Sequence, residues 1–211
     1  MHDYLPVFPL DVVLFPEMLL PLHIFEERYK EMIGQCLQDR SPFGVLYAHD
    51  DSVETIGCTA EISQVIKRYP DGRINLVAVG QKRFQVSFFD SEKAYLRARI
   101  ELLPDLPGNK ERSEELARQA LELFEQACKL MGRDNPEVLG RESPVRGMAF
   151  RLVASLQLRN EIRQHILEER SEGQRLQKLT EHLSEVIPRL TERHKSARQA
   201  GSNGRFGPRL N

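Results

Sequence analysis

The sequence predicts an α+β protein in which a small, partly closed β-barrel precedes a helical bundle. Before residue 104, apolar and polar residues alternate with a period of two in several segments, which is typical of strands with one solvated face. Two prolines, a glycine and further turn-formers then cluster at 104–109. Beyond this cluster, apolar residues recur at helical spacing. We therefore predict a barrel subdomain over 1–104 and a helical bundle over 105–195.

The barrel half begins with two proline-containing apolar segments, 5–10 and 20–25. Proline biases the residue before it toward extended geometry, so both segments are predicted as strands at a sheet edge or a barrel corner. One early helix is predicted over 26–38, because Tyr29 and Ile33 begin a series of apolar residues at four-residue steps.

The remaining strands are predicted over 43–48, 57–69, 73–79, 83–89 and 95–103. The Pro-Asp-Gly run at 70–72 is a hairpin signal, since Pro restricts φ, Asp stabilises the turn and Gly accepts positive φ. Alternation places Phe84, Val86 and Phe88 on one inward face, and Leu102 on the inward face of the last strand. Several short strands with one helix favour a barrel.

Four helical segments are predicted after the boundary: 111–131, a helix beginning at Ser143-Pro144, 160–169, and 171 or 172 to about 195. Serine is a favourable N-cap and proline a favourable first helical residue. A short turn or helix is predicted at Asn135-Pro136, and Pro188 is expected to bend the last helix. The tail, 196–211, is rich in Gly and Pro with no acidic residue after Ala197, which predicts disorder.

Composition excludes several classes of protein. The 211 residues carry a net charge of −1, which argues against a general polyanion binder. No apolar run approaches the ~20 residues that span a bilayer, and the start lacks the pattern of a secretory signal. Three widely spaced cysteines indicate reduced thiols rather than disulfides or a zinc site. We expect a cytoplasmic protein without a membrane segment.

Motifs that carry chemistry are absent from the sequence. It contains no phosphate-binding Gly-x-x-x-x-Gly-Lys-Ser/Thr loop, no Gly-x-Ser-x-Gly elbow, and no His-Glu-x-x-His or Cys-x-x-Cys pair. We therefore predict that the chain is not an enzyme and has no catalytic residue, metal site or cofactor. A small hydrolase whose site is assembled only by folding stays open as an alternative.

The opening segment, from Leu5 to Tyr29 with its spaced prolines and aromatics, resembles the signature of the Lon protease amino-terminal domain family. The runs 56–62 and 79–84 follow in the family's order, and the helical part around 154–158 is similar as well. The resemblance implies a PUA-like pseudo-barrel followed by a helical bundle. It also implies recognition of protein substrates and support of ring assembly, with ATP and peptide hydrolysis performed by other domains.

An unusually apolar connection at 14–21 is the candidate polypeptide-binding site, with Phe15, Met18, Leu19 and Pro21 as its residues. Burial of this connection in the barrel or against the helices is the structural alternative. An exposed patch would hold apolar segments of unfolded or client polypeptides, since hydrophobic association is non-directional and methionine adapts to varied partners. The predicted function is a non-enzymatic, adaptor-like or chaperone-like binding module, with a protease or its substrates as further candidate partners.

RNA binding is the alternative function, because PUA-like barrels often bind RNA and Arg97 and Arg99 lie outward on a predicted strand. The 15 acidic and 11 basic residues before Pro104 leave a net charge of −4, which opposes phosphate binding unless the basic residues segregate. The sequence does not predict the oligomeric state.

Overall fold

The computed structural model describes residues 4–132 and 144–203, with side chains described up to 196. It divides into two compact units. The barrel unit comprises the chain up to Pro107 together with Val153–Ser171, and the helical unit comprises Gly108–Leu152 and the chain from Glu172. Residues 153–171, which the helical pattern predicts as part of the bundle, therefore belong to the barrel unit.

The barrel unit is built on one seven-stranded sheet. Its strands are β1 Leu5–Leu10, β2 Leu19–Ile24, β3 Phe43–His49, β4 Ser52–Val53, β5 Ile56–Arg68, β6 Ile74–Asp90 and β7 Arg97–Leu102. The pairing order β1-β7-β6-β5-β3 closes on itself, because β1 also pairs with β3 in parallel. Strand β2 pairs with β6 and β4 pairs with β3. The α+β class predicted from the sequence is confirmed.

Strand β6 differs most from its prediction. The two strands expected at 73–79 and 83–89 are one continuous strand of 17 residues, whose first part pairs with β2 and β5 and whose last part pairs with β7. A register shift between Val86 and Phe88 interrupts the alternation of faces. Phe84 is buried as predicted, whereas Phe88 is 57% exposed and Leu102 is 55% exposed, so the inward placement of these last two is wrong.

The barrel core lies between the sheet and helix α1, Glu27–Asp39. The helix buries Tyr29, Met32, Ile33 and Cys36 in a cluster with apolar side chains of the strands. Cys58 lies in the same cluster, and burial raises the pKa of its thiol to about 12. Cys36, Cys58 and Cys128 are all buried and none forms a disulfide. Helix α4, Asn160–Glu168, also belongs to this unit.

The helical unit is formed by α2 Lys110–Leu130, the first residues of α3 Met148–Ser155, and α5 Glu172–Asn203. Asn109 caps α2, since its side-chain oxygen accepts a hydrogen bond from the Arg112 N–H (2.9 Å). Helix α2 packs against α5 through buried Leu, Ala and Phe side chains. Pro188 lies inside α5.

The start of α3 was predicted at Ser143-Pro144, but the helix begins at Met148. The carboxylate of Glu172 accepts hydrogen bonds from the Gly147 and Ala149 N–H groups (3.0 and 2.9 Å) and so caps this helix from a distance. Ser143 and the turn predicted at Asn135-Pro136 lie outside the described residues.

Helix α5 continues to Asn203, past residue 195 where it was expected to end. Residues 191–200 contain no Gly or Pro, so nothing in their backbone interrupts the helix. The prediction of disorder is therefore wrong for 196–203, and the rest of the predicted tail, 204–211, lies outside the described residues. Within 4–132 and 144–203, no helix is both long enough and apolar enough to cross a membrane. Over the same residues, no group of three metal-ligating side chains occurs.

Candidate polypeptide-binding surface

Three strands, β2, β6 and β5, present one side to solvent, which we call the outer face. Its residues form three rows across the strands. The rows are Leu19–Val79–Glu61, then Pro21–Val77–Gln64, then His23–Asn75–Lys67. Neighbouring rows are about 7 Å apart along the strands and neighbouring strands are about 5 Å apart. The face therefore extends about 14 Å along the strands and about 10 Å across them.

The first two rows of the outer face are mostly apolar. Leu19 is 63% exposed, Pro21 is exposed, and Val77 and Val79 are half-buried. Ile66 adds a third large apolar side chain at 59% exposure, because the register shift between Val65 and Lys67 turns it outward beside the third row. Exposed apolar surface of this kind is characteristic of interaction sites.

The opposite side of the same strands fixes which residues face outward. Leu20, Ile24, Leu76 and Ala78 are buried in the barrel core. A slip of one residue in the pairing of β2 would expose these side chains and bury the outer ones, so the core holds the register.

Strand β2 lies at an edge, since β6 is its only partner among the described strands. The Gly80 N–H donates to the Met18 carbonyl oxygen (3.0 Å) and the Gly80 carbonyl oxygen accepts from the Glu17 N–H (2.8 Å), so the hydrogen bonds between β2 and β6 begin at this position. In an antiparallel ladder, hydrogen-bonded and non-hydrogen-bonded positions alternate. The backbone polar groups of Leu19, Pro21 and His23 therefore point away from β6, toward the unpaired edge. Proline has no N–H, so Pro21 removes the middle donor of this edge and disfavours pairing with another strand.

The loop before β2 is held inside the barrel unit. Phe15 is fully buried and cannot lie on an exposed surface, which corrects its prediction as a contact residue. Met18 is half-buried. Glu17 adopts positive φ (66°), which turns the chain sharply between them. The loop crosses β6 at Gly80, where a Cβ would lie 2.1 Å from the Phe15 carbonyl oxygen. Only glycine allows this close approach.

Helix α4 holds the same loop through Arg163, a residue that no pattern in the sequence indicated. Its guanidinium donates to the Val13 carbonyl oxygen (3.2 Å), contacts the Met18 sulfur (3.5 Å) and lies 5.1 Å from the centre of the Phe15 ring. Burial lowers the pKa of Arg163. Its neighbour Gln164 donates to the Ile56 carbonyl oxygen (3.0 Å). Arg163 is 145 positions from Met18 and 150 positions from Val13 in sequence, so no local pattern could have indicated that it positions the loop.

The third row ends in a group of aromatic and cationic side chains, which we call the aromatic–cationic cluster: His23, Phe25, Tyr69, Lys67 and Arg73. The Lys67 ammonium and the Arg73 guanidinium lie 4.6 and 5.0 Å from the centre of the Tyr69 ring. His23 donates to Asn75 Oδ1 (2.5 Å), and Asn75 donates to the Tyr69 hydroxyl (3.2 Å). Phe25 is 59% exposed and stacks beside His23.

The two arginines of the RNA-binding alternative lie elsewhere, on β7. Arg97 is half-buried and forms ion pairs with Asp90 (2.5 Å) and Glu92 (3.2 Å), so nearby carboxylates already neutralise its charge. Arg99 is exposed and lies 5.6 Å from the centre of the Tyr4 ring. A paired guanidinium is poorly suited to bind phosphate, and this arrangement gives the RNA alternative no support.

Comparison with known proteins adds family information. A family model described as the ATP-dependent protease La (LON) substrate-binding domain matches residues 4–185. Lon protease of Geobacter metallireducens is 32% identical over 198 residues, which are 86% of this chain and 24% of that protein. The chain spans about a fifth to a quarter of the length of the curated relatives it matches.

Two solved structures share the fold. A Lon N-terminal domain protein from Xanthomonas campestris superposes with a TM-score of 0.63 at 24% identity, covering 83% of this chain and 96% of that one. The N-terminal domain of a Mycobacterium avium complex Lon protease superposes with a TM-score of 0.65 at 19% identity, covering 86% and 98% of the two chains.

Proposed function

Because this chain belongs to the family of the Lon substrate-binding domain, we propose that it binds polypeptide segments on the outer face of β2, β6 and β5 and does not itself perform chemistry. The partners are unfolded or client polypeptides, and the chain acts as an adaptor or chaperone-like helper for a protease or for its substrates. Three buried cysteines without a disulfide fit a reducing compartment, which supports the cytoplasm as the place of action.

The observation that carries this proposal is the exposure of large apolar side chains on one sheet face. Leu19 is 63% exposed and Ile66 is 59% exposed, and exposed Pro21 and half-buried Val77 and Val79 lie on the same face. Covering these groups removes apolar area from water, which stabilises a complex by roughly 25 cal/mol per Å² before the costs of association. Burial of this kind has no directional requirement, so one face can accept many sequences.

Docking occurs through side chains on the face rather than by addition of a strand. Pro21 interrupts the donors of the β2 edge, which weakens a backbone ladder with a partner. The buried side of the strands keeps the face in register, and Gly80 and Arg163 hold the loop that leads into it. A preorganised face reduces the ordering cost of binding. Phe15 is buried and Met18 is half-buried, so neither is proposed as a contact of the face.

The experiment measures binding of a permanently unfolded protein, reduced and carboxymethylated α-lactalbumin, by fluorescence anisotropy. The double variant Leu19→Asn/Ile66→Asn should lower the affinity about tenfold or more, because two exposed anchors are lost. The matched control is Phe88→Asn/Leu102→Asn, which removes two apolar side chains of similar exposure from the β6–β7 part of the sheet. This control should bind like the natural chain.

Equal loss of affinity in both double variants would mean that general hydrophobicity, and not the outer face, causes the binding. Absence of measurable binding by the natural chain at stoichiometric concentration would refute the proposed function. Hydrolysis of a peptide, ester or nucleotide at an enzyme-like rate that depended on one polar side chain would contradict the non-enzymatic part of the proposal.

A further inference from the structure

We infer that the aromatic–cationic cluster makes the outer face selective for apolar segments that carry an acidic residue at a defined spacing. This inference rests on the proposed function and specifies its substrate class. The cluster lies at one end of the two apolar rows. In a bound extended segment, the successive side chains that point toward the face would therefore contact first the apolar rows and then the cluster.

The charge of the cluster is net positive. Arg73 pairs with Asp71 (2.7 Å), and on the neighbouring helix start Arg28 pairs with Glu26 (2.8 Å). Lys67 has no carboxylate partner among the residues that the structure describes, and it lies on the third row of the outer face. An acidic side chain above this row would therefore meet one ammonium group whose charge is not already compensated.

The Tyr69 ring gives this positive charge a defined position. Lys67 and Arg73 both lie within 5.0 Å of its centre, and a cation over an aromatic face is held by the ring quadrupole. The Tyr69 hydroxyl is fixed by Asn75, which is fixed in turn by His23. Exposed Phe25 flanks the group. A carboxylate in this position would be bound beside apolar and aromatic surface, where charge interactions are stronger than in open water.

The spacing of the rows gives the sequence pattern of the partner. In an extended chain, alternate side chains point to the same side and are about 7 Å apart, which equals the separation of the rows. Apolar residues at positions i and i+2 would contact the Leu19 and Pro21 rows, and an Asp or Glu at i+4 would reach Lys67. An acidic residue at i+3 would point away from the face.

The test compares three labelled peptides of equal length, all with Leu at i and i+2. One carries Asp at i+4, one carries Asn at i+4, and one carries Asp at i+3. Fluorescence anisotropy with the full chain at low ionic strength should show that the first peptide binds about three- to fivefold more tightly than the other two. Added salt should reduce this difference.

Variants of the chain locate the effect. Lys67→Gln should abolish the preference for Asp at i+4, and Lys67→Glu should make the Asn peptide the tighter ligand. Lys110→Gln removes an exposed lysine of α2 and should leave the preference unchanged. Circular dichroism would establish that each variant is folded, and the neutral Gln variant keeps the test valid if the Glu variant is not.

The possible outcomes distinguish failure of this inference from failure of the proposed function. Equal affinity for the three peptides, with binding lost in Leu19→Asn/Ile66→Asn, would overturn the acidic preference and leave polypeptide binding in place. No binding of any peptide, nor of the unfolded protein, would overturn both. If a single-stranded RNA oligonucleotide displaced the Asp peptide and Lys67→Gln prevented that displacement, the cluster would be a phosphate site and the assignment to acidic peptides would be wrong.

Discussion

The barrel unit buries Arg83 and Arg163 and the helical unit buries Arg175, and Arg163 differs from the other two because no carboxylate pairs with it among the described residues. In the helical unit, Arg175 is fully buried and pairs with the Glu172 carboxylate (2.6 Å), while its guanidinium lies 4.4 Å from the centre of the Phe150 ring. In the barrel unit, Arg163 donates to carbonyl oxygens and a sulfur, and no carboxylate pairs with it in the described part of the chain. Its Nε has no hydrogen-bond partner among the residues that the structure describes.

The difference separates a structural role from a positioning role. A buried charge is costly unless a counter-charge and hydrogen bonds compensate it, and Arg175 has both. Arg163 has only neutral partners, and its desolvation lowers its pKa. What Arg163 does provide is a link between α4 and the loop that leads into the outer face. We therefore expect loss of the helical-unit pair to affect stability most, and loss of Arg163 to affect the loop more than the fold.

The largest effect is expected for Glu172→Ala. This substitution removes the counter-charge of buried Arg175 and the acceptor of two N–H groups at the start of α3, so the free energy of unfolding should fall by about 3–5 kcal/mol. Urea unfolding followed by circular dichroism measures the change. Glu185→Ala, on the exposed side of the same helix, should change it by less than about 0.5 kcal/mol. Similar losses in both variants would remove the special role of the pair.

Gly80→Ala tests whether the close approach of the loop to β6, in addition to the Arg163 guanidinium, holds the loop in place. The added methyl group would meet the Phe15 carbonyl oxygen, so we expect a loss of about 3 kcal/mol and displacement of the loop from β6. The control is Gly34→Ala in α1, where a Cβ meets nothing within 4 Å and alanine should stabilise the helix by about 0.5–1 kcal/mol. Thermal unfolding of both variants should show opposite shifts. A neutral Gly80→Ala would show that the loop adapts easily.

Arg163→Met sharpens the comparison between the two arginines. Carbonyl oxygens lose their donor, but the desolvation cost of the charge disappears, so the net loss should be only about 1–2 kcal/mol. Amide hydrogen exchange should accelerate at Glu17 and Gly80, whose N–H groups join the loop to β6. A loss as large as that of Glu172→Ala would mean that both arginines are equally structural.

The smallest effect is expected for Cys58, whose thiol is desolvated by burial in the barrel core. Its pKa is raised to about 12 in the folded chain, above the value near 8.5 of an exposed thiol. The unfolded chain therefore loses this proton first, and stability present below pH 8.5 should decline as pH rises toward 12. The loss at pH 9.5 should be about 1.4 kcal/mol, measured as the difference in pH dependence between the natural chain and Cys58→Ala. Identical pH profiles would show that the thiol is accessible.

Local patterns in the sequence predicted much of the barrel. The proline-rich segments at 5–10 and 20–25, the helix near 26–38 and the turn at 70–72 all correspond to observed elements, because period, proline geometry and turn chemistry act over a few residues. The resemblance to the Lon amino-terminal family, based mainly on the first of these blocks, is confirmed. Of the four residues predicted for the candidate site, Leu19 and Pro21 are exposed, Met18 is half-buried and Phe15 is buried, because burial of the loop depends on distant segments.

The sequence by itself determined the fold class, the family and the strand that carries Leu19 and Pro21, because these depend on local periodicity and motif. Tertiary structure alone decided which side chains share a surface. Register shifts turned Ile66 and Phe88 outward, and pairing of distant strands placed Lys67 and His23 on either side of Asn75 in one row. Folding also placed Arg163 against a loop far away in sequence. Alternation predicts a face only where the ladder is regular, and a buried guanidinium finds its acceptors only after distant backbone segments meet.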